Sequence, residues 1–104
     1  MERLLNLLAE AGLSADDAAR GAYLVIVYVL GAIALEAADV PHVGALPPEA
    51  ERIAAREATF AAVPPEAFPR TAAAAGIMAA WVGTGQFVWG LRRVLAGLVG
   101  PDLD

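Results

Sequence analysis

The sequence contains no cysteine and no lysine, and it has one histidine, His42, and one serine, Ser14. The absence of cysteine excludes disulfides, thiolate metal sites and cysteine nucleophiles. One histidine without any lysine leaves few titratable groups for general acid–base catalysis. A metal site needs several His, Cys or carboxylate ligands at suitable spacing, and the sequence offers no such set. We therefore expect no enzyme, no bound metal and no cofactor.

Nucleotide-binding and DNA-binding signals are missing as well. Gly83-Thr84-Gly85 lacks the spacing and the lysine of a phosphate-binding loop. Seven arginines stand against 12 acidic residues, for a formal net charge of −5, and only Arg92 and Arg93 are adjacent. Binding to DNA normally needs a basic face that displaces counterions from phosphates. We expect no direct DNA contact by this segment.

Aromatic residues are few, at 7%, although 59% of the 104 residues are hydrophobic, many of them alanine. Alanine has the highest helix propensity but adds little buried surface. A chain of this length also buries only a modest fraction of its surface on folding. We therefore expect one domain over residues 1–104 that gains stability from a partner.

The spacing of apolar residues predicts an all-α fold of about five helices. No stretch alternates with a period of two, so strands are not expected. Gly12 is expected to end the first helix, and Ser14 to cap the second, three residues before Asp17. The later helices are expected to start at Pro47 or Pro48 and end near Val63, to span 71–82, and to span 84–99 with Thr84 as the cap.

The second helix, predicted over 15–38, has no polar face along most of its length. Tyr23, Val27, Leu30 and Ala34 form one apolar stripe, and two further stripes lie beside it. A helix that is apolar on every side must be covered on every side. The remaining short helices can hardly enclose it, so the sequence predicts an obligate partner, and we expect a homodimer.

Glu36 interrupts the apolar pattern near the end of this helix. An ionised carboxylate among apolar residues is costly unless it is paired or solvated. It either reaches solvent in the last turn or serves as a polar contact at the edge of an apolar pocket. His42 and Gln86 are the other candidates for such a contact, and Ile77, Met78 and Trp81 are either pocket walls or ordinary core.

A membrane location is an alternative, because residues 21–35 and 71–91 carry no charge. The first run is short of a hydrocarbon core of about 30 Å, and the second is diluted by alanine and broken near Gly83. The start of the chain, Met1-Glu2-Arg3, lacks the features of a signal peptide. We expect a cytoplasmic protein and keep a two-helix membrane protein as an alternative.

Two groups of short motifs give the chain a family resemblance. The first group is residues 11–14 (AGLS), 18–20 (AAR), 28–31 (YVLG) and 35–36 (LE); the second is 68–70 (FPR), 86–91 (QFVWGL) and 95–98 (LAGL). In this order and spacing they resemble the C-terminal effector-binding and dimerisation domain of TetR-family transcriptional regulators. Trp89 stands where a phenylalanine is commoner in that family, and Gly83-Thr84-Gly85 replaces a more acidic approach.

The resemblance implies that the second and last helices pack against their copies as a four-helix bundle between two subunits. The residues expected in this interface lie on those two helices: Leu24, Tyr28, Gly31, Leu35, Phe87, Gly90, Leu91, Val94, Gly97 and Leu98. The resemblance also implies an apolar cavity for a small effector, lined by the candidates above. We expect no helix-turn-helix domain within residues 1–104 and therefore expect that this chain does not repress transcription alone. A stand-alone dimeric helical binding module is the other alternative.

Overall fold

The computed structural model describes residues 1–38, 44 and 46–100, and helices are the only regular secondary structure in these residues. The helices in chain order are α1 (Glu2–Glu10), α2 (Ala15–Ala38), α3 (Glu49–Ala61), α4 (Pro69–Ala73), α5 (Ala75–Ala79) and α6 (Thr84–Val99). The chain divides into two compact units. One consists of Met1–Ala34 with the described residues from Val88 onward, and the other is Leu35–Phe87.

The core of the first unit lies between α1, α2 and α6. Leu8, Ala18 and Ala22 are buried there, and Leu4, Leu5, Leu13 and Leu98 pack around them. The turn before α2 forms as predicted: Gly12 has a positive φ of 103°, and Ser14 Oγ accepts the Asp17 N–H at 3.2 Å. Because Ala18 and Ala22 on α2 are small, the neighbouring helices can approach α2 closely.

Two glycines mark where α2 and α6 meet within the first unit. A Cβ atom at Gly21 would lie 3.2 Å from Leu98, and one at Gly90 would lie 3.0 Å from Cζ of Tyr28. Residue 21 on α2 therefore pairs with residue 98 on α6, and residue 28 pairs with residue 90. Because the numbers run in opposite directions, the two helices are antiparallel.

The second unit is built on the packing of α3 against α5, with α4 beside them. Ala75 and Ala79 on α5 are buried, and Gly83 after α5 is buried as well. Pro48 precedes the first residue of α3, as expected of a proline at a helix start. The α3 helix ends at Ala61, two residues before the predicted position.

The prediction of one helix over 71–82 is wrong. The structure has two five-residue helices, α4 and α5, with Ala74 between them at φ −95° and ψ 6°. This raises the count from about five helices to six. Helix propensity is a local quantity and favours one continuous alanine-rich helix. It does not include the packing that buries Ala75 and Ala79 beside α3.

The predicted cap of the last helix is also wrong. Thr84 is the first residue of α6 rather than its cap, and its N–H donates to the carboxylate of Glu49 on α3. The first N–H groups of a helix need acceptors from outside the helix. Here the acceptor is 35 residues away in sequence, so local spacing could not reveal it.

Among the described residues, α2 is the one helix that is long and apolar enough to span a membrane by length and composition. Core helices of soluble proteins meet the same criterion, so this feature alone does not decide between the two environments.

Candidate functional site

The outer side of α2 carries large apolar side chains that the chain leaves exposed. Tyr23, Val27 and Leu30 follow each other at spacings of four and three residues, so they share one helix face. Tyr23 is 71% exposed and Leu30 is 59% exposed. Leu24 and Ile33 are also exposed beside this stripe. Contiguous apolar surface of this kind commonly marks an interaction site.

The last helix contributes further exposed apolar residues. Val88, Leu95 and Val99 lie on its outward face, and the indole of Trp89 is half exposed. The guanidinium of Arg93 stacks on Trp89, with its Cζ 3.9 Å from a ring centroid. The sequence pattern does not indicate this face, because Arg92 interrupts the apolar stripe that runs from residue 88 to residue 99.

Five glycines lie inside α2 and α6, and they fall into two classes. At two of them a side chain of the same chain occupies the space beside the glycine: Leu98 beside Gly21 and Tyr28 beside Gly90. Among the described residues, no atom lies within 4 Å of a Cβ added at Gly31, Gly85 or Gly97. A glycine inside a helix costs about 1 kcal/mol relative to alanine. In the part of the chain that the structure describes, no contact offsets that cost at Gly31 or Gly97.

The residues predicted for the dimer interface lie in several environments. Leu24, Gly31, Leu35 and Gly97 are exposed. The others are partly buried: Tyr28, Phe87, Gly90, Leu91, Val94 and Leu98. Tyr28 and Leu98 make intrachain contacts with α6 and α2 respectively. The partly buried residues therefore contribute first to the fold of the subunit, and their role between subunits stays a prediction.

The candidate polar contact Glu36 is engaged in an ion pair within the second unit. One of its carboxylate oxygens lies 3.2 Å from a guanidinium nitrogen of Arg52. The Arg52 side chain is 8% exposed, whereas that of Glu36 is 45% exposed. The Nε–H of Arg52 donates to the carbonyl of Pro47 at 3.2 Å. Glu36 thus neutralises a buried guanidinium and still reaches solvent.

The other ligand candidates are less enclosed than expected of pocket walls. Ile77 is 73% exposed, Trp81 is 50% exposed, and Met78 and Gln86 are partly buried. Trp81 packs its ring edge-on against Phe60, with centroids 6.2 Å apart. His42 lies outside the described residues.

An open groove of about 450 Å³ runs along α3 in the second unit. Its lining combines charged and small residues: Pro47, Glu51, Arg52, Ala55, Arg56 and Thr59. None of the described ligand candidates lines it. Arg56 also contacts Phe60, with its Cζ 5.8 Å from the ring centroid. The sequence gives no sign of this groove. Arg52 and Arg56 are four residues apart on α3, and two arginines at this spacing commonly form a solvated helix face.

Glu49 accepts two hydrogen bonds from one residue, Thr84. Its Oε1 accepts the Thr84 N–H at 2.9 Å, and its Oε2 accepts the Thr84 hydroxyl at 3.0 Å. These hydrogen bonds from Thr84, with a smaller contribution from the charge of Arg52, hold the pKa of Glu49 below its ordinary value of 4.5. Local sequence patterns give no sign of this contact, because Glu49 and Thr84 are 35 residues apart.

Comparison with known proteins gives one finding. No curated protein and no solved structure matches the chain. A family model described as "Tetracyclin repressor-like, C-terminal domain" matches residues 1–100, nearly the whole length. With the all-helical fold, this match confirms the resemblance drawn from the motifs. The chain belongs to the family of tetracyclin repressor-like C-terminal domains.

Proposed function

We propose that this chain is the effector-binding and homodimerisation domain of a TetR-like transcriptional regulator. The observation that carries the dimer is that exposed apolar residues and two open glycines, Gly31 and Gly97, lie on the same two helices, α2 and α6. A second subunit lying close to Gly31 and Gly97 would use the space that their missing side chains leave. The antiparallel pair α2–α6 would then meet its copy as a four-helix bundle.

The composition supports the same proposal. Only five hydrophobic residues among those described are buried, and four of them are alanine: Leu8, Ala18, Ala22, Ala75 and Ala79. Alanine contributes little to hydrophobic stabilisation. Association would bury part of the large apolar surface that the single chain leaves exposed.

The dimer is tested by the molar mass of the purified chain in detergent-free buffer. Light scattering behind size exclusion should give twice 10.7 kDa at micromolar concentration. A monomer at every concentration would refute the proposal. A chain that leaves detergent-free solution would instead favour the membrane alternative, which the length and composition of α2 keep open.

The proposed effector is a small, neutral, apolar molecule that binds near Ile77, Met78 and Trp81. An unpaired carboxylate at Glu36 would favour a cationic ligand as well as a neutral one. In the structure Glu36 is paired with Arg52, and this pairing reduces the attraction of the Glu36 carboxylate for a cation. We propose that this chain acts in the cytoplasm. We propose no catalytic centre, because a regulator domain of this kind needs none.

Fluorescence of Trp81 tests the effector proposal. A Trp89→Phe variant leaves Trp81 as the single indole, and a library of neutral, cationic and anionic apolar compounds is screened against it. Neutral hits should change the emission, and a second variant that also carries Trp81→Phe should show no response. Hits that are all anionic, or a library without hits, would count against this assignment.

A further inference from the structure

The groove along α3 is separate from the residues proposed to bind the effector. Its helical lining, at positions 51, 52, 55, 56 and 59, lies on one broad face of α3. Phe60, which contacts the Trp81 ring, does not line it. The groove measures about 450 Å³, within the range of roughly 300–1,000 Å³ that small-molecule sites occupy. We call it the α3 groove.

Arg52 offers unused hydrogen-bond donors at the wall of the α3 groove. Its side chain is 8% exposed, and a guanidinium carries N–H donors on each of its nitrogens. Nε donates to the Pro47 carbonyl and Nη1 to a carboxylate oxygen of Glu36, each at 3.2 Å. Among the described residues, Nη2 has no acceptor. Because a largely buried donor without an acceptor costs free energy, an acceptor placed in the groove would be bound favourably.

Arg56 brings a second guanidinium to the same wall. It follows Arg52 by four residues, so the two side chains are neighbours on the helix surface. Its Cζ lies 5.8 Å from the ring centroid of Phe60, and this packing restricts the side chain before any ligand binds. A restricted side chain loses less conformational entropy on binding. Planar guanidinium groups match the geometry of a carboxylate.

The rest of the lining limits the charge and favours an apolar body in the ligand. The formal charges of the two arginines are balanced by Glu36, the ion-pair partner of Arg52, and by Glu51, which lines the groove. A multiply charged anion therefore gains little from the net charge of the site. Pro47 and Ala55 supply apolar surface beside the arginines.

We propose that the α3 groove binds a small organic monocarboxylate. Its carboxylate lies between the guanidinium groups of Arg52 and Arg56, and its apolar part lies against Pro47 and Ala55. This ligand differs in charge and position from the proposed effector, which is neutral and binds near Trp81. The site requires neither that effector nor the dimer.

NMR titration of the isotope-labelled full chain with benzoate tests the proposal. Benzoate should shift the amide signals of Ala55 and Thr59 in a saturable way, and the signals of Ala18 and Ala22 in the first unit should not move. Benzamide has the same shape without the charge, and inorganic phosphate has the charge without the apolar body. Neither should produce these shifts. A benzoate titration without saturable shifts, or equal shifts with benzamide or phosphate, would overturn the proposal.

Arg56→Gln should weaken benzoate binding about tenfold or more, because hydrogen bonds between charged groups are among the stronger ones. Arg70→Gln is the matched control, since Arg70 is an exposed arginine of the same unit that does not line the groove. Equal affinities of the two variants for benzoate would show that the arginine wall does not hold the carboxylate.

Glu36→Gln should have the opposite effect and tighten benzoate binding about threefold, because it removes a negative charge that competes for Arg52. Glu66→Gln, in an exposed turn, is its control. A gain in affinity is not expected of a variant that merely damages the fold, so this measurement stands even if Arg56→Gln does not fold. Unchanged or weaker binding would refute the part assigned to Arg52. Failure of these titrations leaves the dimer and the neutral effector untouched, because neither is needed for the measurement.

Discussion

The phenol of Tyr28 on α2 lies over the backbone of Gly90 on α6, and a Cβ atom at residue 90 would meet the Tyr28 ring at 3.0 and 3.2 Å. Gly90 is therefore required inside one subunit, where it lets two antiparallel helices pack closely. Gly97, seven residues later, has no such neighbour. The two glycines have the same helical spacing in the sequence. Gly90 nevertheless lies at the contact with α2 inside the subunit, whereas Gly97 lies at an exposed surface.

Gly90→Ala should destabilise the subunit, because the added methyl group overlaps Tyr28. Overpacking of this kind typically costs about 1–3 kcal/mol, which outweighs the gain in helix propensity. The melting temperature should fall. Tyr28→Phe removes the hydroxyl, the atom closest to residue 90, and should partly restore stability in the double variant. If Gly90→Ala does not lower the melting temperature, the Tyr28 ring does not lie over residue 90 in solution.

Gly97→Ala and Gly31→Ala should weaken the dimer instead. In an isolated subunit each change should raise stability by up to about 1 kcal/mol, because the methyl group meets no other atom. In the proposed dimer the same methyl groups enter the space of the second subunit. Sedimentation measurements should show a larger dissociation constant for at least one variant. Unchanged association with a higher melting temperature would exclude both glycines from the interface.

Glu36→Gln should lower stability by about 1 kcal/mol, since it leaves the buried guanidinium of Arg52 without its carboxylate. Replacing the arginine as well, in Glu36→Gln with Arg52→Met, should recover part of the loss, because an unpaired buried charge costs more than an apolar side chain. Urea unfolding measures both variants. Glu66→Gln, in an exposed turn, is the control and should have no effect.

The hydrogen bonds from Thr84 to the Glu49 carboxylate make stability depend on pH in the acidic range. The pKa of Glu49 is lower in the folded chain than its ordinary value of 4.5, owing to the hydrogen bonds from Thr84 and the charge of Arg52. The stabilisation is therefore complete above the ordinary value and is lost as the pH falls through the folded value. The stability difference between wild type and Glu49→Gln should shrink on acidification over this range. A difference that stays constant would show that the carboxylate charge plays no part.

Duplex DNA should not bind to this chain at physiological salt. The net charge is −5, and Arg52 and Arg93 already contact Glu36 and Trp89. Counterion release, which drives most nonspecific binding, therefore has little basis here. Electrophoretic shift assays with random duplex give the measurement, and a shift at micromolar protein would contradict this expectation.

Local signals in the sequence predicted much of the fold correctly. The Ser14 cap, the turn at Gly12 and the bounds of α2 and α6 match the structure. Each depends on residues close together in the chain, such as a capping hydroxyl three residues before its N–H donor. The family could be inferred for the same reason, since its motifs are short and keep their order.

Which face of each helix meets the rest of the subunit was decided only by the tertiary structure. On α6, the stripe of Leu91, Val94 and Leu98 is partly buried in the chain, while Val88, Leu95 and Val99 remain exposed. Both stripes have helical spacing, so periodicity could not choose between them. The choice follows from the packing of α6 against α2. Leu98 of α6 packs beside Gly21 of α2, and Tyr28 of α2 packs beside Gly90 of α6.

The sequence by itself determined the helices and the local turns, because propensity, caps and turn residues act over a few positions. Only the tertiary structure paired Glu36 with Arg52 and Glu49 with Thr84, and it split the predicted fourth helix at Ala74. These features depend on contacts between residues 16 to 35 positions apart, or on the packing of α5 against α3. The free energy of such contacts is set by which helices fold against each other, and no local pattern in the sequence contains that information.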